Sequence, residues 1–183
     1  MMRIDLHTHS KVSDGTDSPA ELVAKAAQAG LDVVGLTDHD TTAGWAEATK
    51  AAEQCGIGLV LGSEFSTTWQ GQSVHLLSYF HSPNHVALAS RAQDLRESRV
   101  GRAQQMCARL AADFPITWQD VQAQASQGGT IGRPHMADAL VAAGVFSSRE
   151  AAFSSVLNSR SAYYVPHQQA STVEMIGLVR AAG

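Results

Sequence analysis

Cysteine is scarce in this sequence of 183 residues, which contains two cysteines, Cys55 and Cys107. They lie far apart and form no C-x-x-C pair. This spacing argues against a disulfide scaffold and against a zinc site built from thiolates, and it favours a reducing compartment. We therefore expect a cytoplasmic protein.

Long apolar runs and an excess of positive charge are also missing. No run approaches the roughly 18 apolar residues of a membrane span, and residues 1–5 show no signal-peptide core, so we expect no contact with a membrane. The net charge of −4 argues against broad attraction to phosphate backbones. It still permits a small or short phosphorylated ligand held by a few local arginines. An apolar content of 44% argues against disorder.

Histidine is plentiful, with eight residues beside 13 Lys and Arg. Residues 3–7 alternate and predict a short strand that leads into a polar loop. His7 and His9 then share a face, because strand side chains alternate with period two. Asp14 follows in the loop and offers an oxygen ligand. Its alternative role is that of a turn residue beside Gly15.

Two carboxylates and a histidine follow the second predicted strand, residues 31–37. Asp38 and Asp40 would be costly to bury without a counter-charge. A metal ion is the better explanation for His39. Asp40 has an alternative role as the N-cap of a helix that begins near Thr42.

A hairpin is predicted where Gln70-Gly71 joins two strand-like runs, residues 57–66 and 73–80. With a two-residue turn, position 66 faces 75 and position 64 faces 77. Glu64 and His75 are then diagonal neighbours on one face. They either share an ion or form one hydrogen-bonded pair.

The order of elements indicates an α/β layered or barrel fold. Helices are predicted from Ser18-Pro19 to Gly30 and from about Thr42 to Gly56. The second half is helical, with starts at Asn84, Thr117, Arg133-Pro134, Ser148 and Ser171. We expect a helical insertion over residues 84–161, with barrel portions at 1–83 and 162–183. A strand should follow the last helix, so we expect the C-terminal strands to be missing from this sequence.

Four separate strand ends thus each supply His, Asp or Glu. A set of carboxylates and imidazoles without thiolate suits Mn²⁺, Fe²⁺ or Zn²⁺. On the long predicted helix, Arg99 and Arg102 are three positions apart and share a face, and arginine suits phosphate oxygens. The residues alone rank the five arginines of that helix equally. His81 and His85 are predicted to lie at the surface.

Several motifs resemble those of the PHP family, whose name stands for polymerase and histidinol phosphatase. They are Asp5-Leu6-His7-Thr8-His9-Ser10, Ser13-Asp14-Gly15, Leu36-Thr37-Asp38-His39-Asp40, Gly62-Ser63-Glu64 and Val74-His75. Within the family, the resemblance is closest to bacterial nucleoside 3′,5′-bisphosphate phosphatases and related 5′→3′ exoribonucleases. Residues 131–137 and 164–168 resemble that subgroup too.

The resemblance implies a distorted β/α barrel with two or three divalent ions at the C-terminal ends of its strands, Mn²⁺ being the expected metal. It implies six metal ligands, with Glu64 bridging two ions: His7, His9, Asp14, His39, Glu64 and His75. Of these we expect Asp14, His39 and Glu64 to be catalytic. The family's remaining ligands come from later motifs that would lie beyond Gly183.

The resemblance implies substrate contacts for Arg99, Arg102 and His135. The alternative for Arg99 and Arg102 is a solvated helix face, which we expect for the other arginines of that helix. We add Arg133, which precedes the helix-start residue Pro134, where helix N-terminal amides favour an anion. His167 is a further candidate. The expected activity is hydrolysis, by a metal-activated water, of the phosphate of nucleoside 3′,5′-bisphosphates or of the 5′ ends of short oligonucleotides. No stable protein partner is evident. The alternatives are a small-metabolite phosphatase that resembles histidinol phosphatase, and a non-catalytic metal-binding PHP module.

Overall fold

The structure of the protein is a computed structural model, and it describes residues 1–125, 131–166 and 169–183. The chain divides into two compact units, which we call unit 1 (Met1–Arg96 with Gln169–Gly183) and unit 2 (Glu97–Gln168). The predicted division into a barrel part and an insertion, with boundaries near residues 83 and 162, stays a prediction. Among the described helices, none combines the length and the apolar character needed to cross a bilayer.

Unit 1 contains all the strands of the described chain. Its elements are β1 (Ile4–Thr8), α1 (Pro19–Gln28), β2 (Val33–Leu36), α2 (Trp45–Cys55), β3 (Gly58–Trp69), β4 (Gln72–Tyr79), β5 (Ala170–Ser171) and α7 (Thr172–Ala181). The helix α3 (Val86–Leu110) begins in unit 1 and continues into unit 2. Unit 2 also contains α4 (Trp118–Ala123), α5 (Arg133–Ala142) and α6 (Arg149–Ser155).

The sheet has the order β1-β2-β3-β4, with β5 paired to β3. β1, β2 and the first part of β3 are parallel, and β4 is antiparallel to the second part of β3. Parallel neighbours need crossover connections, which α1 and α2 supply. The predicted α/β class is confirmed, and closure of the sheet into a barrel stays a prediction.

α1 begins and ends where the sequence predicts. Ser18 accepts a hydrogen bond from the backbone N–H of Glu21, whose carboxylate accepts one from Ser18 N, so the capping box is complete. After the helix, Gly30 has a φ of 77°. α1 and α2 bury an apolar cluster that includes Val23, Val34, Leu36, Trp45 and Ala48.

The predicted start of α2 is wrong by about one turn. The helix begins at Trp45 with Gly44 as its N-cap residue, so Asp40 does not cap it. Asp40 instead has a φ of 55° and is fully buried. Its N–H donates to the carbonyl of Glu64 (3.0 Å), and its Oδ1 accepts from Ser66 N (3.2 Å). Because Asp40 makes these tertiary hydrogen bonds to β3, it does not cap the helix, which begins later in the chain.

The hairpin of β3 and β4 has the predicted register. Ser66 pairs with His75, and Glu64 pairs with Leu77. Gln70 and Gly71 both have positive φ values, 49° and 78°, as a two-residue type I′ turn requires.

Two histidines differ from their predicted surface positions. His81 is 2% exposed, and its Nδ1 lies 2.8 Å from Ser78 Oγ. Its ring packs between Trp45 and Phe65, with centroid distances of 5.1 and 5.9 Å. His85 is half-buried and takes the capping role predicted for Asn84, because its Nδ1 accepts from the N–H of Leu88 (3.3 Å).

Three α3 arginines predicted to be solvated make specific contacts, although Arg109 is exposed as predicted. In unit 1, Arg91 pairs with Glu174 at 3.3 Å, and Arg96 donates to the carbonyl of Asp40. In unit 2, Arg109 donates to the carbonyl of Tyr164 (2.7 Å). These donors satisfy carbonyl and carboxylate groups that a sequence pattern does not locate.

Unit 2 has its own apolar core. Met106, Leu110, Met136, Leu140 and Leu157 are each fully buried in it. Its short helices begin as predicted, with Thr117 in a capping box before α4 and Ser148 capping α6. Because the core lies within residues 103–165, unit 2 is packed around its own helices.

Candidate metal centre

Glu64 lies at the centre of a histidine cluster in unit 1. Its side chain is 3% exposed on β3. The Oε2 atom lies 2.7 Å from His7 Nε2 and 2.8 Å from His9 Nε2, and Oε1 contacts His75 Nδ1. One carboxylate therefore meets three imidazoles that come from β1, from the residue just after it, and from β4.

The strand period brings His7 and His9 to the same face, as predicted. His7 lies on β1 and His9 just beyond it, and their Nε2 atoms are 3.1 Å apart. β1 is separated from β3 by β2 alone, and the carboxyl ends of parallel strands meet at one edge. This arrangement is what places both rings against Glu64.

His39 and Asp14 complete the set. His39 follows β2, is 6% exposed, and forms an isolated bridge with Glu64. Its Nε2 lies 3.6 Å from Asp14 Oδ2, and Asp14 Oδ1 lies 3.6 Å from His9 Nδ1. The His39 ring centroid is 4.7 Å from that of His9 and 5.5 Å from that of His75.

These six residues form three overlapping groups that could each hold an ion. The groups are His7, His9 and Glu64; His9, Asp14 and His39; and His39, Glu64 and His75. In each group the ligand atoms lie within 4.8 Å of one another, near the roughly 4.4 Å that two bonds of about 2.2 Å to one ion can span. The nitrogen and oxygen donors, without thiolate, fit Mn²⁺, Fe²⁺ or Zn²⁺.

The electrostatics of the cluster match its cation-binding chemistry. Burial alone would raise the pKa of Glu64, but the hydrogen bonds of His75, His9 and His7 and the charge of His39 lower it well below its usual range. Burial would lower the pKa of His9, yet Glu64 and Asp14 raise it. The Glu64 carboxylate thus favours positive charge around it.

Asp38 is a further buried carboxylate, and it connects the loop after β1 to the end of β2. Its Oδ1 accepts from Ser10 N (2.7 Å) and Ser13 Oγ (2.6 Å), and its Oδ2 accepts from Ser10 Oγ (2.6 Å). Burial raises the pKa of Asp38, against the opposing effect of these bonds. Ser10 and Ser13 were not among the predicted site residues. The signal for them is a pair of small hydroxyl residues in the loop between two candidate ligands.

The predicted substrate residues all lie in unit 2. Arg102 is 9% exposed, and its Nε donates to the carbonyl of Val165 (2.6 Å). The guanidinium carbon of Arg102 lies 5.0 Å from the centroid of the Tyr164 ring, and that of Arg133 lies 5.9 Å from the same centroid. Arg102 is therefore not part of a solvated face.

Arg102 lies in a positively charged environment. Burial and the charges of Arg133 and Arg99 lower its pKa. No carboxylate among the described residues forms an ion pair with Arg102, so the positive charge is not neutralised there. A cleft of about 300 Å³ in unit 2 is lined by residues that include Ser98, Arg102 and Val165.

His135 is 3% exposed, and its Nδ1 accepts a hydrogen bond from Gly132 N (3.1 Å) at the start of α5. Arg133 donates to the carbonyl of Leu157 (3.1 Å). His167 lies outside the described residues.

Known proteins that are similar to this chain match nearly all of it and are longer than it. A 3′,5′-nucleoside bisphosphate phosphatase from Chromobacterium violaceum is 36% identical over 190 residues, which cover 100% of this chain and 65% of the relative. A 5′-3′ exoribonuclease from Haemophilus influenzae is 35% identical, with 99% of this chain and 66% of the relative covered.

A crystal structure described as a metal-dependent phosphoesterase from Bifidobacterium adolescentis has a TM-score of 0.97 and 46% identity, covering 100% of this chain and 64% of that one. The chain thus spans just under two thirds of the length of these relatives. The PHP domain model matches residues 5–109, more than half of the sequence, and the chain therefore belongs to the PHP domain family.

Proposed function

We propose that this chain carries the metal-binding part of a phosphoesterase that hydrolyses a phosphate ester of a nucleotide. The observation that carries the proposal is the contact of the buried Glu64 carboxylate with His7, His9 and His75. A buried anion surrounded by imidazoles, with Asp14 and His39 adjoining, is a donor set for a cluster of divalent cations.

The proposed ligands are His7, His9, Asp14, His39, Glu64 and His75, with Mn²⁺ as the metal and two or three ions in the cluster. Such ions, when bound, lower the pKa of water and neutralise charge on a phosphoryl group. Glu64 shares its two oxygens between different histidines, so it is the residue that would join neighbouring ions. Asp14, His39 and Glu64 are the proposed catalytic residues.

Arg99, Arg102, Arg133 and His135 are proposed to contact the substrate. Support comes from unit 2 itself, where Arg102 lies beside the charges of Arg133 and Arg99 and lacks a carboxylate partner among the described residues. A buried guanidinium of this kind, with two further arginines nearby, favours an anionic ligand with several oxygens. A nucleoside 3′,5′-bisphosphate or the 5′ end of a short oligonucleotide has that chemistry, and relatives named for both substrates support it.

The test is Mn²⁺-dependent release of phosphate from adenosine 3′,5′-bisphosphate, with a short 5′-phosphorylated oligoribonucleotide as the second substrate. Glu64→Gln keeps the size of the side chain and removes its charge. Glu53→Gln is the matched control, because Glu53 is exposed on α2. We expect Mn²⁺ binding and phosphate release in the parent and in the control, and loss of both in Glu64→Gln.

The two readouts separate the parts of the proposal. Mn²⁺ binding without release from either substrate would favour a non-catalytic metal-binding module or another phosphorylated substrate, and would overturn the proposed reaction for this chain. Release with undiminished Mn²⁺ binding in Glu64→Gln would overturn the proposed ligand set.

A further inference from the structure

Asp38, Ser10 and Ser13 form a polar cluster that is cut off from solvent. Asp38 is 2% exposed, and both serines are fully buried. The carboxylate accepts three hydrogen bonds of 2.6–2.7 Å, all from the loop that follows β1. Charge-assisted bonds of this kind offset the cost of burying the carboxylate.

The loop held by Asp38 carries two proposed metal ligands. His9 precedes Ser10, and Asp14 follows Ser13. The carbonyl of Ser10 accepts from Ser13 N (3.1 Å) and Gly15 N (2.9 Å), so the loop curls tightly over the serine that Asp38 binds. Asp38 itself immediately precedes His39, and its own carbonyl accepts from Glu64 N (3.2 Å).

The same cluster reaches the ring of His9. Ser13 Oγ lies 2.6 Å from Asp38 Oδ1 and 3.4 Å from His9 Nδ1. A hydroxyl has one hydrogen, and a carboxylate can only accept, so Ser13 donates to Asp38 and accepts from the Nδ1–H of His9. The Nε2 lone pair of His9 is then directed to the cluster, where Nε2 lies 2.8 Å from Glu64 Oε2.

We propose that Asp38 is a positioning residue of the metal centre, which acts through Ser10 and Ser13. It fixes the loop that carries His9 and Asp14 next to His39, and through Ser13 it selects the ring tautomer in which Nε2 of His9 is the ligand atom. This inference rests on the proposed function, since it needs the cluster to bind metal. Groups that orient metal-binding histidines in this way commonly change metal affinity when they are replaced.

The experiment measures Mn²⁺ affinity and stoichiometry by calorimetry, together with the unfolding of each protein in EDTA. Asp38→Asn removes the charge, and Asp94→Asn is the matched control, because the Asp94 side chain is 61% exposed. Ser13→Ala keeps Asp38 and removes the hydroxyl that links Asp38 to His9 by hydrogen bonds. Its control is Ser147→Ala, at an exposed position.

We expect Asp38→Asn to weaken Mn²⁺ binding by about 10-fold to 100-fold, and Ser13→Ala to weaken it in the same direction. Both controls should bind as the parent does. A merely structural role would lower the unfolding midpoint in EDTA and leave the Mn²⁺ affinity of the folded protein unchanged, and that result would overturn the proposal. If Asp38→Asn does not fold, Ser13→Ala decides by the same criterion.

The parent protein separates this inference from the function on which it rests. If the parent binds no Mn²⁺, the proposed function fails and the inference fails with it. If the parent binds Mn²⁺ and both variants bind it as tightly as the parent does, only the proposed role of Asp38 is refuted, and the proposed function stands.

Discussion

His75 contacts the carboxylate of Glu64 diagonally across the hairpin, although its register partner on β3 is Ser66. Diagonal neighbours on one face of an antiparallel pair are within reach of long side chains. The Gln70-Gly71 turn fixes this register, so a tight turn some distance along the chain determines which imidazole reaches Glu64.

Replacing His39 should abolish metal-dependent hydrolysis and leave folding nearly intact. His39→Ala removes a member of two of the three ligand groups. The measurement is Mn²⁺-dependent phosphate release beside far-UV circular dichroism. His85→Ala is the matched control, because His85 caps α3 and should cost about 1 kcal/mol of stability without loss of activity. Loss of the fold in His39→Ala would show that His39 is structural.

Gly15→Ala should destabilise the loop that carries His9 and Asp14. A Cβ on Gly15 would lie 2.1 Å from the carbonyl oxygen of His9, so the backbone must shift. We expect a loss of about 3 kcal/mol in the free energy of unfolding, measured with urea. Gly177→Ala in α7 has open space around it and should gain roughly 0.5–1 kcal/mol. An unchanged stability of Gly15→Ala would contradict this packing.

Stability should fall on acidification through His81. Burial lowers its pKa below the ordinary value of 6.5, so the unfolded chain binds the proton first as the pH falls. This contribution is fully present above pH 6.5 and is lost as the pH falls from there to the folded-state pKa. Urea unfolding in EDTA from about pH 8 to about pH 5 should show a weaker loss of stability with acid in His81→Gln than in the parent. An equal pH dependence of the unfolding free energy in the two proteins would refute the assignment of this acid sensitivity to His81.

Arg102→Lys should destabilise unit 2. The substitution removes the Nε–H that donates to the carbonyl of Val165 and the planar group beside Tyr164. We expect a loss of about 1.5–3 kcal/mol in the free energy of unfolding, measured by chemical denaturation. Arg160→Lys, at an exposed position, should change stability by less than about 0.5 kcal/mol. Equal stabilities of Arg102→Lys and the parent would show that the contacts of Arg102 do not stabilise unit 2.

Local signals determine the parts of the fold that the sequence predicts. The capping box of Ser18, the type I′ turn and the glycine after α1 depend on residues a few positions apart, and each is observed as predicted. The same holds for the shared face of His7 and His9, which follows from the strand period.

Long-range contacts determine what the sequence analysis missed. Asp40 is held by Glu64 and Ser66 on another strand, and the ring of His81 packs against Trp45. Asp38 binds serines that lie 25 and 28 positions earlier. The sequence around a carboxylate does not show which distant residues will donate hydrogen bonds to it. The cost of burying Asp38 can therefore be predicted, but the serines that offset this cost cannot be located.

β3 belongs to two kinds of pairing at once, parallel to β2 over Gly58–Leu61 and antiparallel to β4 from Gly62 onward. Glu64 lies just past that change, so the count of residues between Leu61 and Glu64 decides which side of the sheet its carboxylate faces. Loss or gain of a single residue at this point would therefore turn the carboxylate of Glu64 to the other side of the sheet, away from its histidines. Insertion or deletion of two residues at this point would keep the carboxylate on the same side of the sheet.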